Sequence, residues 1–218
     1  LDKKILERTI TKLFSEAHKR NFDESVELIV TFKNLNIKNK EHRFEFVVTI
    51  PNPFITKVKS LVFVKDKNLA VNLKGIVDKV VLDEEISKLS KKDGKKLANE
   101  YDVFLAEGSA MLTVGKYLGQ TLSPRGKMPL IAPPNPETIK AIISSSPSKI
   151  KVSNKKNKSS VAIQTRIGKR SQEPSKIVDN TLALYNSLID KLPAGKQNIK
   201  DISFKTTMSK PLKVGGGK

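Results

Sequence analysis

The 218 residues include no cysteine and no tryptophan, and acidic side chains are scarce: 22 Asp and Glu stand against 41 Lys and Arg, a formal net charge of +19. Without cysteine there are no disulfides and no thiolate metal sites. With only 6% aromatic residues, the stacking platforms that hold single-stranded nucleic acid would be sparse. No apolar run approaches the roughly 18 residues of a membrane span, and Leu1-Asp2-Lys3-Lys4-Ile5 offers no signal-peptide core. Catalytic material is equally short. The two histidines, His18 and His42, have no serine or carboxylate at a triad spacing. Gly119 to Lys127 fails as a phosphate loop, because six residues separate Gly119 from Gly126 where four are needed, and Met128 stands where Ser or Thr would hold Mg²⁺. Asp83-Glu84-Glu85 reads as acids complementing a helix dipole, with Asp83 as N-cap, before it reads as a metal site. No enzyme, metal or cofactor is expected.

What is abundant is positive charge, and it is uneven. Residues 1–55 carry 10 basic and 8 acidic side chains, residues 56–147 carry 15 and 10, and residues 148–218 carry 16 and 4. An excess gathered in one third of a chain suggests a phosphate-facing surface, and nucleic acid is the default partner.

The hydrophobic period changes twice along the chain. Leu6, Ile10, Leu13, Phe14 and Ala17 mark an amphipathic helix over about 2–20. Val26, Leu28, Val30 and Phe32 then alternate, as do Phe44, Phe46, Val48 and Ile50, with a turn-like Asn34–Glu41 between them. Pro51-Asn52-Pro53 ends this part. Short apolar runs follow at Leu61–Val64, Val77–Leu82 and Val103–Leu105, alternating with helical segments near 67–74, 83–89, 93–99 and 108–118. That order argues for a small parallel sheet covered on both faces. A helix over 136–144 and a Ser-rich linker, Ser144 to Ser148, close the section. Alternation returns at Val161, Ile163, Thr165 and Ile167; a helix spans Pro174 to Leu192; a last strand runs from Ile199 to Met208, with Ile202, Phe204, Thr206 and Met208 facing one way. Neither end has enough apolar surface to be stable alone. The economical architecture joins 1–53 to 148–218 as one α+β domain of two helices and four alternating strands, with 54–147 inserted and the Gly-rich tail 215–218 disordered.

Four segments could carry binding chemistry. Thr121 to Pro129 packs Pro124, Arg125, Gly126, Lys127, Met128 and Pro129 into a shaped basic turn that suits neither a helix interior nor a central strand. In Arg166-Ile167-Gly168-Lys169-Arg170 a glycine allows close backbone approach between cations. Lys205-Thr206-Thr207-Met208-Ser209-Lys210 offers hydroxyls for phosphates and 2′-OH groups and a methionine to pack on sugar or base. Phe22-Asp23-Glu24-Ser25 leads into the first strand. A DNA-binding or chromatin protein, and less readily a nucleotide-dependent enzyme, are the competing readings of the residues alone.

Gly115 to Pro129, Gly-Lys-Tyr-Leu-Gly-Gln-Thr-Leu-Ser-Pro-Arg-Gly-Lys-Met-Pro, resembles the signature of the ribosomal protein L-one family. Phe22 to Glu27 is similar to that family's N-terminal RNA-contact segment, and Thr206-Thr207-Met208 to its C-terminal Thr-Met-Gly-Pro motif. The Gly-Lys-Met-Pro form looks archaeal. The resemblance implies an α/β protein: a discontinuous two-layer α+β domain with a four-stranded antiparallel sheet and two helices, interrupted by a three-layer Rossmann-like domain. It implies a monomer when free, cytoplasmic on the ribosome, with no membrane contact. Partners would be large-subunit 23S rRNA, E-site tRNA beside the mobile stalk, and its own mRNA as a translational repressor. Carried over by position, Phe22, Ser25 and Glu27 would line the RNA site with Thr207, Met208 and Ser209, with Gly168 and Lys169 nearby. Arg166, Thr206 and Lys210 complete the expected surface, and Pro124 to Pro129 would face hinge or RNA. One departure stands out: Ser209-Lys210-Pro211 occupies the place of the family's Gly-Pro.

Overall fold

The computed structural model describes residues 1–35, 39, 42–55, 57–154 and 161–215. In chain order these form α1 (Lys3–Glu16), β1 (Ser25–Phe32), β2 (Glu45–Thr49), β3 (Ser60–Val64), α2 (Lys67–Asn72), β4 (Lys79–Leu82), α3 (Asp83–Ile86), α4 (Lys91–Glu100), β5 (Val103–Glu107), α5 (Gly108–Leu122), β6 (Leu130–Ala132), α6 (Pro136–Ser145), β7 (Lys149–Ser153), β8 (Ala162–Lys169), α7 (Pro174–Ile189), β9 (Ile199–Thr206) and β10 (Leu212–Lys213). They fall into two compact units, Leu1–Phe54 with Ser148–Lys218, and Ile55–Pro147. The turn read over Asn34–Glu41 lies mostly outside the described residues, as does the tail reading of Gly216–Lys218.

The first unit is a two-layer α+β structure. Its antiparallel sheet runs β10-β9-β1-β8. Val26, Leu28, Val30 and Phe32 of β1 are all buried on one face, where α1 and α7 supply Leu6, Ile10, Leu13, Ile177, Val178, Leu184 and Leu188. Each such side chain contributes about 1.5–3 kcal/mol by leaving water. The sheet has four strands, but not the four expected. β2 pairs with β7 in a separate ribbon, and the fourth strand of the main sheet is the two-residue β10. Alternation reports which face a strand buries and says nothing about its neighbour. α1 is also shorter than its apolar stripe, ending at Glu16 because Ala17 turns extended (φ −76°, ψ 126°). The ribbon is held by Asn154, whose side chain accepts from Phe44 N–H (2.9 Å) and donates to the His42 carbonyl (2.8 Å). Ile50 N–H reaches the Ser148 carbonyl at 2.7 Å, so the chain leaves and re-enters this unit at adjacent points of one ribbon.

The second unit is a three-layer α/β structure on a parallel sheet, β4-β3-β5-β6. All five residues of β3 are buried. Leu61 and Phe63 join α3, α4 and α5 on one side, while Val62 and Val64 join α2 and α6 on the other. Two local readings change, and one strand is new. Asp83 is the first helical residue rather than the N-cap, and the Glu85 carboxylate accepts from the Leu82 N–H (3.3 Å). The edge strand β6 had no sequence signal. The serine run is a helix end rather than a linker: Ser144, Ser145 and Ser146 donate back to the carbonyls of Ala141, Ile142 and Ile142.

Candidate nucleic-acid interface

Strand order assembles the site. Because β1 lies between β8 and β9 and runs antiparallel to both, its start adjoins both of their ends. Ser25 faces Lys169, and Val26 faces Thr206. Three segments far apart in sequence, 22–25, 169–171 and 206–210, therefore meet at one edge. Ser25 N–H donates to Thr207 Oγ1 at 3.1 Å across 182 residues of chain. A bulge between Val26 and Glu27 interrupts the β1–β8 register there, a feature that bends a strand at its rim.

The floor of this edge is ionic. Glu24 is 1% exposed. Its carboxylate accepts from Arg170 Nη1 (2.9 Å), Thr206 Oγ1 (3.1 Å) and the Met208 N–H (3.2 Å). Arg170 donates further to the carbonyls of Phe14 (3.0 Å), Ala17 (2.8 Å) and His18 (2.9 Å). It thereby caps the C-terminal end of α1, where unpaired carbonyls and the negative dipole end favour a cation. Asp23 is a lesser knot. Burial opposes its charge, but hydrogen bonds from the Ser171 hydroxyl (2.8 Å) and N–H (3.0 Å), with the Lys169 ammonium at 3.5 Å, outweigh that and hold its carboxyl below the ordinary value.

Above this floor stand two exposed apolar side chains, Phe22 (54%) and Met208 (62%). Thr207 is exposed too, and its hydroxyl, having accepted from Ser25, still has a proton to donate outward. On the solvent face of β1, Glu27 lies between its cross-strand partners Arg166 and Lys205, and its carboxylate accepts from Gln164 Nε2. Arg166 and Lys210 are exposed and Lys205 half-buried, and none of the three side chains forms a hydrogen bond or ion pair with the described residues. A cleft of about 320 Å³ opens between the end of α1 and the 206–210 turn, with Ala17, His18 and Arg20 on one wall and Met208, Ser209 and Lys210 on the other.

Several expected contact residues are occupied internally. Thr206 is fully buried with its hydroxyl on Glu24. Ser209 Oγ accepts from Thr206 N–H (2.8 Å) and donates to the Lys210 carbonyl (3.1 Å), so this serine closes the turn through its own side chain. The strand ends at Thr206, which is why Met208 points out instead of continuing the buried alternation. Gly168 is a glycine for an internal reason: a Cβ there would lie 2.9 Å from both Ile177 and Gln172. The Pro124–Pro129 turn belongs to the second unit and directs its cations to acceptors of that unit. Gly126 takes a left-handed conformation (φ 69°). Arg125 Nη1 donates to the Lys95 carbonyl (3.0 Å) and Asn99 Oδ1 (2.9 Å) along α4, and Lys127 Nζ to the Tyr101 carbonyl (2.6 Å) just past its C-terminal end. Met128 packs on the core beside it. Sequence reasoning missed Glu24 as a structural carboxylate and took Arg170 for an outward cation. The only signal was an acidic pair, Asp23-Glu24, set in a basic protein.

The model of the ribosomal protein L1p/L10e family matches residues 13–210. This chain belongs to that family. Relatives named "Large ribosomal subunit protein uL1" align over nearly their whole length. That of Methanocella arvoryzae is 38% identical over 208 residues, covering 94% of this chain and 95% of its own. That of Staphylothermus marinus is 35% identical over 215 residues, 98% of each. That of Thermoplasma volcanium is 33% identical over 214 residues, 97% of this chain and 96% of its own.

Proposed function

We propose that the chain is a structural component of the large ribosomal subunit that binds 23S rRNA through the exposed end of its antiparallel sheet. The observation that supports this most is the convergence of Phe22, Ser25, Thr207 and Met208 on one edge, rimmed by Arg166, Lys169, Lys205 and Lys210. The cations supply phosphate affinity, most of it salt-dependent. The Thr207 hydroxyl and the Glu27 carboxylate read 2′-hydroxyls or base amines, and Phe22 and Met208 pack on a sugar or an unstacked base. A rigid, shape-matched surface of this kind selects a folded, irregular RNA over a regular duplex. The same surface would bind a copy of that shape in its own messenger, giving translational repression. The inserted unit would be the part of the stalk that meets tRNA leaving the ribosome. The free protein is a monomer on this reading.

The test is binding of the full chain to 23S rRNA, a matching DNA hairpin and its own mRNA leader at fixed salt. The reading expects tight, saturable rRNA binding, weaker but specific mRNA binding, and DNA binding no better than that of an unrelated duplex. Equal affinity for the DNA hairpin would refute it.

A further inference from the structure

We infer that Glu24 is a positioning residue for RNA recognition, acting through Met208 and Thr207 without touching RNA itself. This rests on the RNA reading above. Glu24 is buried, and both of its oxygens are engaged, by Thr206 Oγ1 and the Met208 N–H on one side and Arg170 on the other. Burying a carboxylate in a protein interior is costly even when it is paired, and apolar residues of similar volume would serve stability as well or better. What the carboxylate does that an apolar residue could not is fix the backbone N–H of Met208, the most exposed apolar residue of the edge. The connection continues inward, since Arg170 joins Glu24 to three carbonyls at the end of α1.

Without Glu24, the 206–209 turn keeps, among the described residues, its own bonds, Thr206 N–H to Ser209 Oγ (2.8 Å), Ser209 N–H to the Thr206 carbonyl (3.3 Å) and Ser209 Oγ to the Lys210 carbonyl (3.1 Å), and the Thr207–Ser25 bond. Glu24 therefore holds the contact residues in one geometry before RNA arrives, which removes an ordering cost from binding. Preorganisation of this sort is expressed mainly in the dissociation rate.

The experiment compares Glu24→Gln in the full chain with wild type for dissociation from cognate 23S rRNA, then repeats the pair in a Thr207→Ala, Met208→Ala background. Glutamine keeps the volume but cannot satisfy all three donors. The expected result is dissociation faster by about tenfold in the wild-type background, an unchanged slope of log affinity against log salt, and no further change once Thr207 and Met208 are truncated. Wild-type dissociation, or the same acceleration in both backgrounds, overturns the inference while leaving the RNA reading intact. Truncation of Thr207 and Met208 with no effect of its own overturns both. Should Glu24→Gln fail to fold, Thr206→Val deletes a single donor to Glu24, and roughly threefold faster dissociation with the same background dependence is expected.

Discussion

The two units share one use of a cation, donation to backbone carbonyls at a helix, and differ in how much basic charge is left over. In residues 55–147, the most distinctive basic segment is tied to its own fold: exposed Arg125 donates to the Lys95 carbonyl within α4, and half-buried Lys127 to the Tyr101 carbonyl just past its end. In the first unit, Arg170 does the same at the end of α1, but Arg166, Lys205 and Lys210, beside exposed Phe22 and Met208, form no such bond with the described residues. A basic sequence motif is thus no guide to whether its cations are spent on the protein's own carbonyls. Net charge follows the same division. The first unit holds 26 Lys and Arg against 12 acids and the second 15 against 10.

Breaking the internal cation of the first unit should have the largest effect. Arg170→Ala leaves Glu24 buried without its partner and the end of α1 uncapped, a loss of about 3–5 kcal/mol. Calorimetry should show the first unit melting early while residues 55–147 keep their transition. A single unshifted transition would contradict the two-unit account.

The outward side chains should matter more for RNA than for stability. Thr207→Ala or Met208→Ala should each weaken 23S rRNA binding by about 1–3 kcal/mol, with the melting temperature near wild type for Met208→Ala and lowered for Thr207→Ala by no more than the loss of one hydrogen bond, about 0.5–1.5 kcal/mol. A change in melting temperature with unaltered affinity would reverse the assignment.

The equivalent change in the second unit should be smaller and of the other kind. Lys127→Ala removes one charged donor from a helix end, about 0.5–1.5 kcal/mol. It should lower the stability of residues 55–147 and leave rRNA affinity unchanged, as filter binding would show.

Acid should act on both units alike. Asp78 in the second unit is held below its ordinary value of 3.8 by the backbone N–H and hydroxyl of Ser60, against an opposing effect of burial. Asp23 in the first is held below 3.8 as well, there with burial opposed by Ser171 and Lys169. Folded values below the unfolded ones stabilise fully above about pH 3.8, and that contribution is lost as pH falls through the lower folded values. Asp23→Asn should flatten the acid limb of the first unit alone, which side-chain NMR of each unit can follow.

Much of this was legible because it is local. The 3.6-residue stripe of Leu6, Ile10 and Leu13 and the two-residue alternation of Val26 to Phe32 each predict the buried face observed. Residues 166–170 and 205–210 were legible as polar, basic chemistry, whereas Phe22 alone reads as a core aromatic and was marked out only by the family resemblance. Pairing was not. Nothing in Phe44 to Ile50 distinguishes a partner in the main sheet from β7, and a two-residue strand such as β10 has no period to read. The Glu24–Arg170 pair spans 146 residues, so it exists only once β1 and β8 are neighbours. The same holds for Gly168, whose missing Cβ is explained by Ile177 on α7. Side-chain direction at loops was the other gap, since Arg125 and Lys127 look alike in sequence whether they face RNA or a helix end.

The contrast between the units is tested most directly by separating them. Replacing residues 55–147 with a short flexible linker, and expressing 55–147 alone, gives two proteins to titrate against 23S rRNA over a range of salt. The account predicts that the first keeps most of the intact chain's affinity, within about tenfold, while the second shows only weak binding that salt abolishes. Specific binding that travels with residues 55–147 would contradict it.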